Sequence, residues 1–351
     1  MISLSQAIAA PEWFPDAIYA DRGLIDFYRV TRQLLGQSSF LDQRMTSRAA
    51  GKEQAVFSFE ELAALSDGVD MRRIGFIFHT SFCRSTLMAQ ALHVDGLSFS
   101  LKEPSFLLSL AESIRYTRSL REPEKARAAL SALLKLATGL IGANERVIVK
   151  PTNFANNLLP FVAESGASVL LMYSDLRSYL RSLLKYGEPA RAFARQLYTR
   201  LMIDCDEYRN MPAQQTLQFT DLQIAALVWK QQMGLFMKLL GTTRPGQLRT
   251  LSSEVFRDAR DAALAAAFQF FEIPVTASRF QQVVSGPVFQ HDSKSGTSMD
   301  NATIARRDGE IEEKYRDELA ATLQWADATP IGGRINTPLP YALGLADSGA
   351  R

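Results

Sequence analysis

A short polar segment between two apolar runs carries side chains whose types and spacing could bind a phosphate. Residues 74–92 read IGFIF-HTSFCRST-LMAQAL, which predicts a strand, a polar loop (residues 79–86) and a helix. The loop brings the cation of Arg84 and the hydroxyls of Ser85 and Thr86 to the start of that helix. A helix N-terminus has unpaired N–H groups and a partial positive charge, so these residues would form an anion site. The alternative is that Ser85 and Thr86 only cap a core helix.

The polar loop departs from the Walker A pattern, G-x-x-x-x-G-K-[ST]. His79 and Arg84 stand at its two glycine positions, Ser85 stands at the lysine position, and only Thr86 fits. The missing lysine would normally reach the β- and γ-phosphates, so the pattern disfavours hydrolysis of ATP or GTP.

Two further candidates follow apolar runs that predict strands. Glu103 comes after the run at 97–101, and Lys150 ends the run at 147–149. Open α/β sheets bind ligands at the carboxyl ends of their strands, which makes Glu103 a candidate general base. Lys102 could hold Glu103 ionised or face solvent. The alternatives are a plain polar turn at Glu103 and a lysine at 150 that extends to solvent.

The pattern around these candidates predicts the elements that would position them. Five short apolar runs, at 74–78, 97–101, 147–149, 168–173 and 247–251, alternate with helical stretches such as 125–140. Alternating strands and helices indicate an α/β, P-loop NTPase-like three-layer fold with a central, mainly parallel sheet flanked by helices.

The rest of the chain is assigned to three regions. We expect a helical N-terminal extension at 1–70, with a helix at 23–35 and a capping box from Ser58 to Glu61. The core is predicted at 71–290 with a helical insertion at 190–245, and 291–351 is predicted to be a loop and a helix that pack on the core.

Composition limits the function classes. The 351 residues are 47% hydrophobic and 22% charged, which is typical of globular proteins, and the net charge of +2 gives no global attraction to nucleic acid or membranes. Two cysteines suit a reducing compartment. No apolar run approaches the length of a membrane span and no signal peptide is evident, so we expect a cytoplasmic protein.

The ordered segments resemble the P-loop sulfotransferase family, in particular its bacterial members. The resemblance covers about residues 74–325 and is carried by six segments: FHTSFCRSTLMAQAL, LSFSLKEPSFL, RVIVKPTNFANNLLP, SVLLMYSDLRSYLRSLLKYGE, LVWKQQMGLFMKLL and LRTLSSEVFRDARDAALAAAFQFFEIP. It implies transfer of a sulfuryl group from 3′-phosphoadenosine 5′-phosphosulfate (PAPS) to a hydroxyl or amine of a small-molecule or peptide acceptor, without a metal.

The resemblance also implies roles for individual residues. Glu103 would be the base, Lys150 would contact the transferring group, and Arg84 or His79 would offset charge on the bridging oxygen. The implied donor-binding residues are Ser81, Phe82, Cys83, Arg84, Ser85, Thr86, Ser174, Arg177 and Ser182.

Two positions depart from the family's pattern. The family's 3′-phosphate site has an arginine eight residues before the position of Ser182, and here that residue is Ser174. The candidates to replace this arginine are Arg177, Arg181, Arg191 and Arg195. Other branches have a histidine base where this chain has Thr152.

The C-terminal stretch VFQHDSKSGTS contains His291 and Lys294 and precedes Arg306 and Arg307. It resembles the family's loop that closes over the nucleotide. The alternative is a surface loop.

Other functions stay open at this stage. A kinase-like phosphotransferase could use Asp175 to bind Mg²⁺, and a non-catalytic nucleotide-binding member would explain Ser174. A phosphatase with Cys83 and His79 fails on spacing, because Arg84 follows the cysteine at once. Three asparagines, Asn153, Asn156 and Asn157, could hydrogen-bond substrate or cap the next helix. Three aromatic residues, Phe106, Tyr186 and Trp229, could line a pocket or pack in the core.

Overall fold

A five-stranded parallel sheet lies at the centre of the structure, a computed structural model that describes residues 1–10, 12–42, 51–66, 70–244, 246–289 and 301–344. The strand order is β6-β7-β5-β8-β9. These strands are β5 (Ile74–His79), β6 (Ser98–Lys102), β7 (Arg146–Lys150), β8 (Ser168–Tyr173) and β9 (Leu248–Ser252). All five predicted strands are confirmed.

Helices cover both faces of this sheet. Every residue of the central strand β5 is buried. Phe76 and Phe78 lie in the larger hydrophobic cluster, whereas Ile77 between them lies in a second cluster on the opposite face. A strand buried on both faces needs an apolar side chain at each position, which explains its continuous apolar sequence. The predicted α/β class with a central parallel sheet is confirmed.

The α-helices of the described residues are numbered in chain order. They are α1 (Leu4–Ala9), α2 (Arg32–Gln37), α3 (Phe59–Ser66), α4 (Ser85–Ala91), α5 (Ser105–Tyr116), α6 (Pro123–Ala137), α7 (Leu159–Glu164), α8 (Leu176–Tyr186), α9 (Glu188–Leu201), α10 (Asp206–Arg209), α11 (Ala213–Gln218), α12 (Asp221–Leu240), α13 (Ser253–Asp258), α14 (Arg260–Phe270), α15 (Ala277–Val284), α16 (Asn301–Lys314) and α17 (Arg316–Ala328).

The N-terminal region is not the helical extension that the sequence predicts. It forms a second, four-stranded sheet of order β1-β4-β3-β2, whose strands are β1 (Ile2–Ser3), β2 (Trp13–Tyr19), β3 (Leu24–Arg29) and β4 (Lys52–Val56). The predicted helix at 23–35 is wrong, because residues 24–29 pair with two neighbouring strands and α2 begins only at Arg32.

Hydrogen bonds attach the N-terminal region to the β6 side of the central sheet, among them two with backbone donors. The Ile18 N–H donates to Ser109 Oγ on α5 at 2.8 Å. The Leu41 N–H donates to the carbonyl of Lys102 at 2.7 Å. The N-terminal region therefore flanks the carboxyl end of β6.

Other local predictions agree with the structure. The capping box at the start of α3 is present, since Ser58 N–H donates to Glu61 Oε2 and Glu61 N–H donates to Ser58 Oγ. The region 190–245 is helical where it is described, and the predicted C-terminal helix is divided into α16 and α17. The boundaries of the three regions stay predictions. Within the described residues, no helix has both the length and the apolar character needed to cross a bilayer.

Candidate functional site

The polar loop connects the central strand β5 to α4 in an unusual backbone conformation. Ser81, Phe82 and Arg84 have φ values of 74°, 51° and 62°. Positive φ is uncommon for residues with a side chain, and such strain clusters at ligand-binding loops. The loop thus makes its tight turn without glycine, and Arg84 occupies the position just before α4.

Neighbouring elements hold this loop in place. The Thr80 N–H donates to the carbonyl of Met172 on β8 at 3.1 Å. The Ser174 hydroxyl donates to the carbonyl of Phe82 at 3.2 Å. On the other side, Asn156 Nδ2 donates to the carbonyl of His79 at 3.2 Å. Ser174, which replaces the arginine expected from the family pattern, therefore supports the loop backbone.

The hydrogen bonds of His79 define which ring nitrogen carries its proton. His79 Nδ1 accepts from the Ser81 N–H at 3.1 Å, so the proton of a neutral ring lies on Nε2. That nitrogen lies 3.1 Å from the carbonyl of Pro151, to which it can donate. Lys150 Nζ is 2.9 Å from the same Nε2. Because that nitrogen carries the ring proton, it has no lone pair that could accept a hydrogen bond from Lys150. His79 therefore fixes Ser81 in its left-handed conformation and borders the lysine without neutralising it.

The Arg84 side chain is a partly buried cation that has no partner among the described residues. Among the described residues, none forms a hydrogen bond or an ion pair with its guanidinium, and burial lowers the pKa of Arg84. An arginine stays charged in proteins, and a charge that has lost hydration without gaining a partner favours binding of an anion. Ser85 and Thr86 lie beside it in the first turn of α4. The three predicted anion-binding side chains are thus together.

Glu103 and Lys150 form an ion pair at the ends of β6 and β7. Lys150 is completely buried, and Glu103 has a positive φ of 53°. The idea that Lys102 holds Glu103 ionised or faces solvent is wrong. Lys102 Nζ is buried and donates to the carbonyl of Gly36 at 3.0 Å, and burial lowers the pKa of Lys102 to about 8.

One cleft of about 850 Å³ brings most of the predicted site residues together. The polar loop forms its floor, and Glu103 and Lys150 lie in its wall. The other predicted residues in the wall are Thr152, Asn153, Ser174, Arg181, Ser182 and Tyr186.

Three of the candidate arginines do not line this cleft. Arg177 is paired with Glu312 at 3.0 Å, and Arg195 is paired with Asp221 at 2.5 Å. Arg191 is also absent from the wall. The placement of Arg177 among the donor-binding residues therefore lacks support from the geometry.

Arg181 and Lys185 on α8 both line the cleft. Asp308 on α16 lies 2.8 Å from Lys185 Nζ and 3.7 Å from Arg181 Nη2, and Glu312 lies 3.2 Å from Arg181 Nη1. Sequence reasoning missed Lys185, although its spacing of four from Arg181 places both on one helix face. It also missed Arg257 and Arg260, which line the same cleft.

Several other candidates serve the structure. Asp175 caps α8 and accepts from the Ser178 N–H and hydroxyl, both at 2.8 Å. Trp229 Nε1 donates to the carbonyl of Ser174 at 2.8 Å, and Phe106 is a buried core residue. Asp175 is therefore already engaged as a helix cap.

Two of the three asparagines, Asn153 and Asn156, form a buried hydrogen-bond network with Gln232 of α12. Sequence reasoning missed Gln232. Asn153 Nδ2 and Asn156 Nδ2 donate to Gln232 Oε1 at 3.1 and 3.0 Å. Asn157 Nδ2 donates to the carbonyl of Ala111 at 3.0 Å. Only Asn153 also borders the cleft.

Cys83 is completely buried beneath the loop, and its thiol donates to the carbonyl of Met172 at 3.4 Å. Burial raises the pKa of Cys83. Since the thiolate is the nucleophilic form, this environment disfavours covalent catalysis by Cys83.

The predicted C-terminal closing loop is only partly described. His291 and Lys294 lie outside the described residues. Arg306 and Arg307 belong to α16, and Arg306 pairs with Glu310 on the same helix at 3.0 Å.

Comparisons with known proteins add a fold-level likeness. No protein-family model matches the chain, and no curated protein is similar enough to count as a relative. Among solved structures, the chain is similar to the sulfotransferase domain from the curacin biosynthetic pathway. The identity is 12%, the match covers 75% of this chain and 98% of that chain, and the TM-score is 0.38. A likeness at this score carries no argument about activity, which depends on the site itself.

Proposed function

We propose that this chain is a sulfotransferase that moves a sulfuryl group from PAPS to a hydroxyl or amine of an acceptor. The observation that carries the proposal is the Arg84 cation, which is unpaired among the described residues and lies at the N-terminus of α4, in one cleft with the Glu103–Lys150 pair. An anion site beside a strand-end carboxylate suits transfer of a charged group to a hydroxyl.

The polar loop would bind the phosphosulfate end of the donor. Arg84, the hydroxyls of Ser85 and Thr86 and the first N–H groups of α4 are available as hydrogen-bond donors at this position. As the acceptor oxygen bonds to sulfur, the bond from sulfur to the 5′-phosphate oxygen breaks, and its electron pair stays on the phosphate. Donors that are fixed in place before the reaction stabilise that growing negative charge.

Glu103 would accept the proton of the acceptor hydroxyl. Its carboxylate pairs with Lys150 and lines the same cleft as the polar loop. Lys150 also borders the cleft, where its charge would attract the oxygens of the transferring group. His79 acts as a positioning residue for the loop, because it holds the Ser81 N–H.

Arg181 and Lys185 would bind the 3′-phosphate in place of the arginine expected at position 174. Both line the cleft, on the same helix as Ser182. Their present partners, Asp308 and Glu312, would share these cations with the phosphate or be displaced by it. A phosphotransferase that uses Asp175 for Mg²⁺ finds less support, because that carboxylate is engaged as a helix cap.

A calorimetric titration with adenosine 3′,5′-bisphosphate tests this proposal. The wild-type protein should bind one equivalent. Arg84→Gln should weaken binding about 10- to 100-fold, the value of a hydrogen bond to a charged group. Arg279→Gln is the matched control, since this exposed arginine bonds to Gln282 and lies outside the cleft. Absence of binding to the wild type, or equal losses in the two variants, would contradict the proposal.

A further inference from the structure

The cleft contains carboxylates as well as cations, and one of these carboxylates comes from a distant part of the chain. Asp258 and Asp261 pair with their sequence neighbours Arg257 and Arg260, both at 2.7 Å. Asp308, in contrast, belongs to α16 and pairs with the two cations of α8 that line the cleft. This carboxylate therefore joins two helices inside the cleft.

Asp308 lies among the cations to which the 3′-phosphate is assigned. Its Oδ1 is 2.8 Å from Lys185 Nζ, and its Oδ2 is 3.7 Å from Arg181 Nη2. Its charge also acts on the polar loop, because burial and the charge of Arg257 lower the pKa of Arg84, whereas Asp308 raises it. An anion that pairs with two cations and acts on a third has the surroundings that a bound phosphate needs.

The ion pairs of Asp308 are partly shielded from water. The side chains of Asp308, Lys185 and Arg181 are 24%, 20% and 19% exposed. Charges in such surroundings interact more strongly than on an open surface and are less screened by salt. A phosphate that binds to Arg181 and Lys185 must break or share these pairs, which reduces the net free energy of its binding.

We propose that Asp308 competes with the 3′-phosphate of the donor for Arg181 and Lys185, and thereby sets how strongly the site prefers nucleotides that carry a 3′-phosphate. This inference rests on the proposed function. A nucleotide with only a 5′-phosphate would bind at the polar loop and leave the pairs of Asp308 intact. A nucleotide with both phosphates must displace the carboxylate, so its affinity is lower than the cations alone would give. Asp308 would thus limit the affinity of the bisphosphate that remains after transfer.

Calorimetric titrations of Asp308→Asn with two nucleotides test the inference. Asparagine keeps the size of the side chain but removes its charge. We expect adenosine 3′,5′-bisphosphate to bind about 3- to 30-fold more tightly than to the wild type, the value of two partly exposed ion pairs that need not be broken. The affinity for adenosine 5′-monophosphate should change about 2-fold or less, because only the longer-range effect of Asp308 on Arg84 is lost. A purely structural role of Asp308 would change both affinities alike.

Glu310→Gln is the matched control. Glu310 lies on the same helix and pairs with Arg306 at 3.0 Å, outside the cleft. This variant also removes one negative charge from α16, but it should leave both affinities unchanged. Asp308→Ala removes the charge with a shorter side chain and should act like Asp308→Asn. Thermal unfolding of each variant reports whether it is folded.

The outcomes separate this inference from the proposed function. If the wild type binds the bisphosphate, an equal or weaker affinity in both Asp308 variants would overturn the competition and leave the donor in place. An equal gain in Glu310→Gln, or an equal gain for the monophosphate, would do the same.

Inorganic pyrophosphate serves as a second anion that lacks adenosine. Tighter binding of pyrophosphate by the Asp308 variants, without any binding of the bisphosphate, would keep Asp308 as a competitor for anions and reject PAPS as the donor. Binding of neither anion by the wild type or the variants would overturn both proposals.

Discussion

Replacement of Glu103 by glutamine tests the role of Glu103 as general base separately from binding of the donor. Glutamine keeps the size of the side chain and an oxygen that can accept from Lys150, but it cannot take a proton from the acceptor. Loss of a general base costs about 10²- to 10⁴-fold in rate. Since Glu103 follows β6 while the donor is assigned to the polar loop and α8, we expect an unchanged affinity for adenosine 3′,5′-bisphosphate.

The same change should lower stability by an amount that follows from the burial of Lys150. Lys150 is 0% exposed, and its carboxylate partner becomes a neutral amide. Removal of one member of a buried ion pair costs about 3–5 kcal/mol. Glutamine keeps one hydrogen bond, which returns about 1–2 kcal/mol, so we expect a loss of about 2–3 kcal/mol in the free energy of unfolding. The double variant Glu103→Gln/Lys150→Met should recover part of this loss, because the uncompensated charge is gone.

Steady-state sulfuryl transfer and urea unfolding measure the two effects. Glu112→Gln is the matched control, because Glu112 pairs with the buried Arg115 on α5 at 3.0 Å and lies outside the cleft. This control should lose stability but little rate. A Glu103→Gln protein with a rate within about tenfold of the wild type would refute the role of Glu103 as base. That result would favour a non-catalytic nucleotide-binding protein.

Two further predictions concern Arg181, which lines the cleft, and the buried Lys102, which does not. Arg181→Gln should weaken binding of adenosine 3′,5′-bisphosphate about 10- to 100-fold and leave binding of adenosine 5′-monophosphate nearly unchanged in calorimetry; equal losses for both ligands would exclude Arg181 from the 3′-phosphate site. Lys102 should make stability rise with pH, because burial lowers its pKa from 10.5 to about 8 and the unfolded chain therefore holds more protons between these values. In urea unfolding, Lys102→Met should remove this rise with pH. Near neutral pH it should raise the free energy of unfolding by about 2 kcal/mol, after allowance for the lost hydrogen bond to Gly36. An unchanged dependence of stability on pH would show that another group titrates.

The central sheet and the polar loop could be predicted from sequence because their signals are local. Strands buried on both faces are continuous apolar runs, and the loop brings its cation and hydroxyls in consecutive residues, Arg84 to Thr86. The N-terminal sheet was missed because the apolar positions at 23–35 also fit a helical period. The turn residues Asp21, Arg22 and Gly23 between two apolar runs would have indicated the hairpin of β2 and β3.

The partners inside the site could not be predicted, because they depend on strand order. Lys150, and not the adjacent Lys102, meets Glu103 because β7 lies next to β6 in the sheet. The sequence showed that position 174 lacks an arginine, but only the packing of α8 against α16 shows Arg181 and Lys185 together at the cleft. Likewise, only tertiary structure brings Phe40 and Phe193 into the cleft.

A comparison of the affinities of two nucleotides for one protein preparation tests the central claim most directly. The dissociation constants of adenosine 3′,5′-bisphosphate and of ATP with magnesium are measured by calorimetry under the same conditions. We expect the bisphosphate to bind more tightly, because the loop lacks the Walker lysine and the cleft is lined by two cations, Arg181 and Lys185, that are assigned to the 3′-phosphate. Tighter binding of ATP with magnesium, accompanied by its turnover, would contradict a phosphosulfate donor.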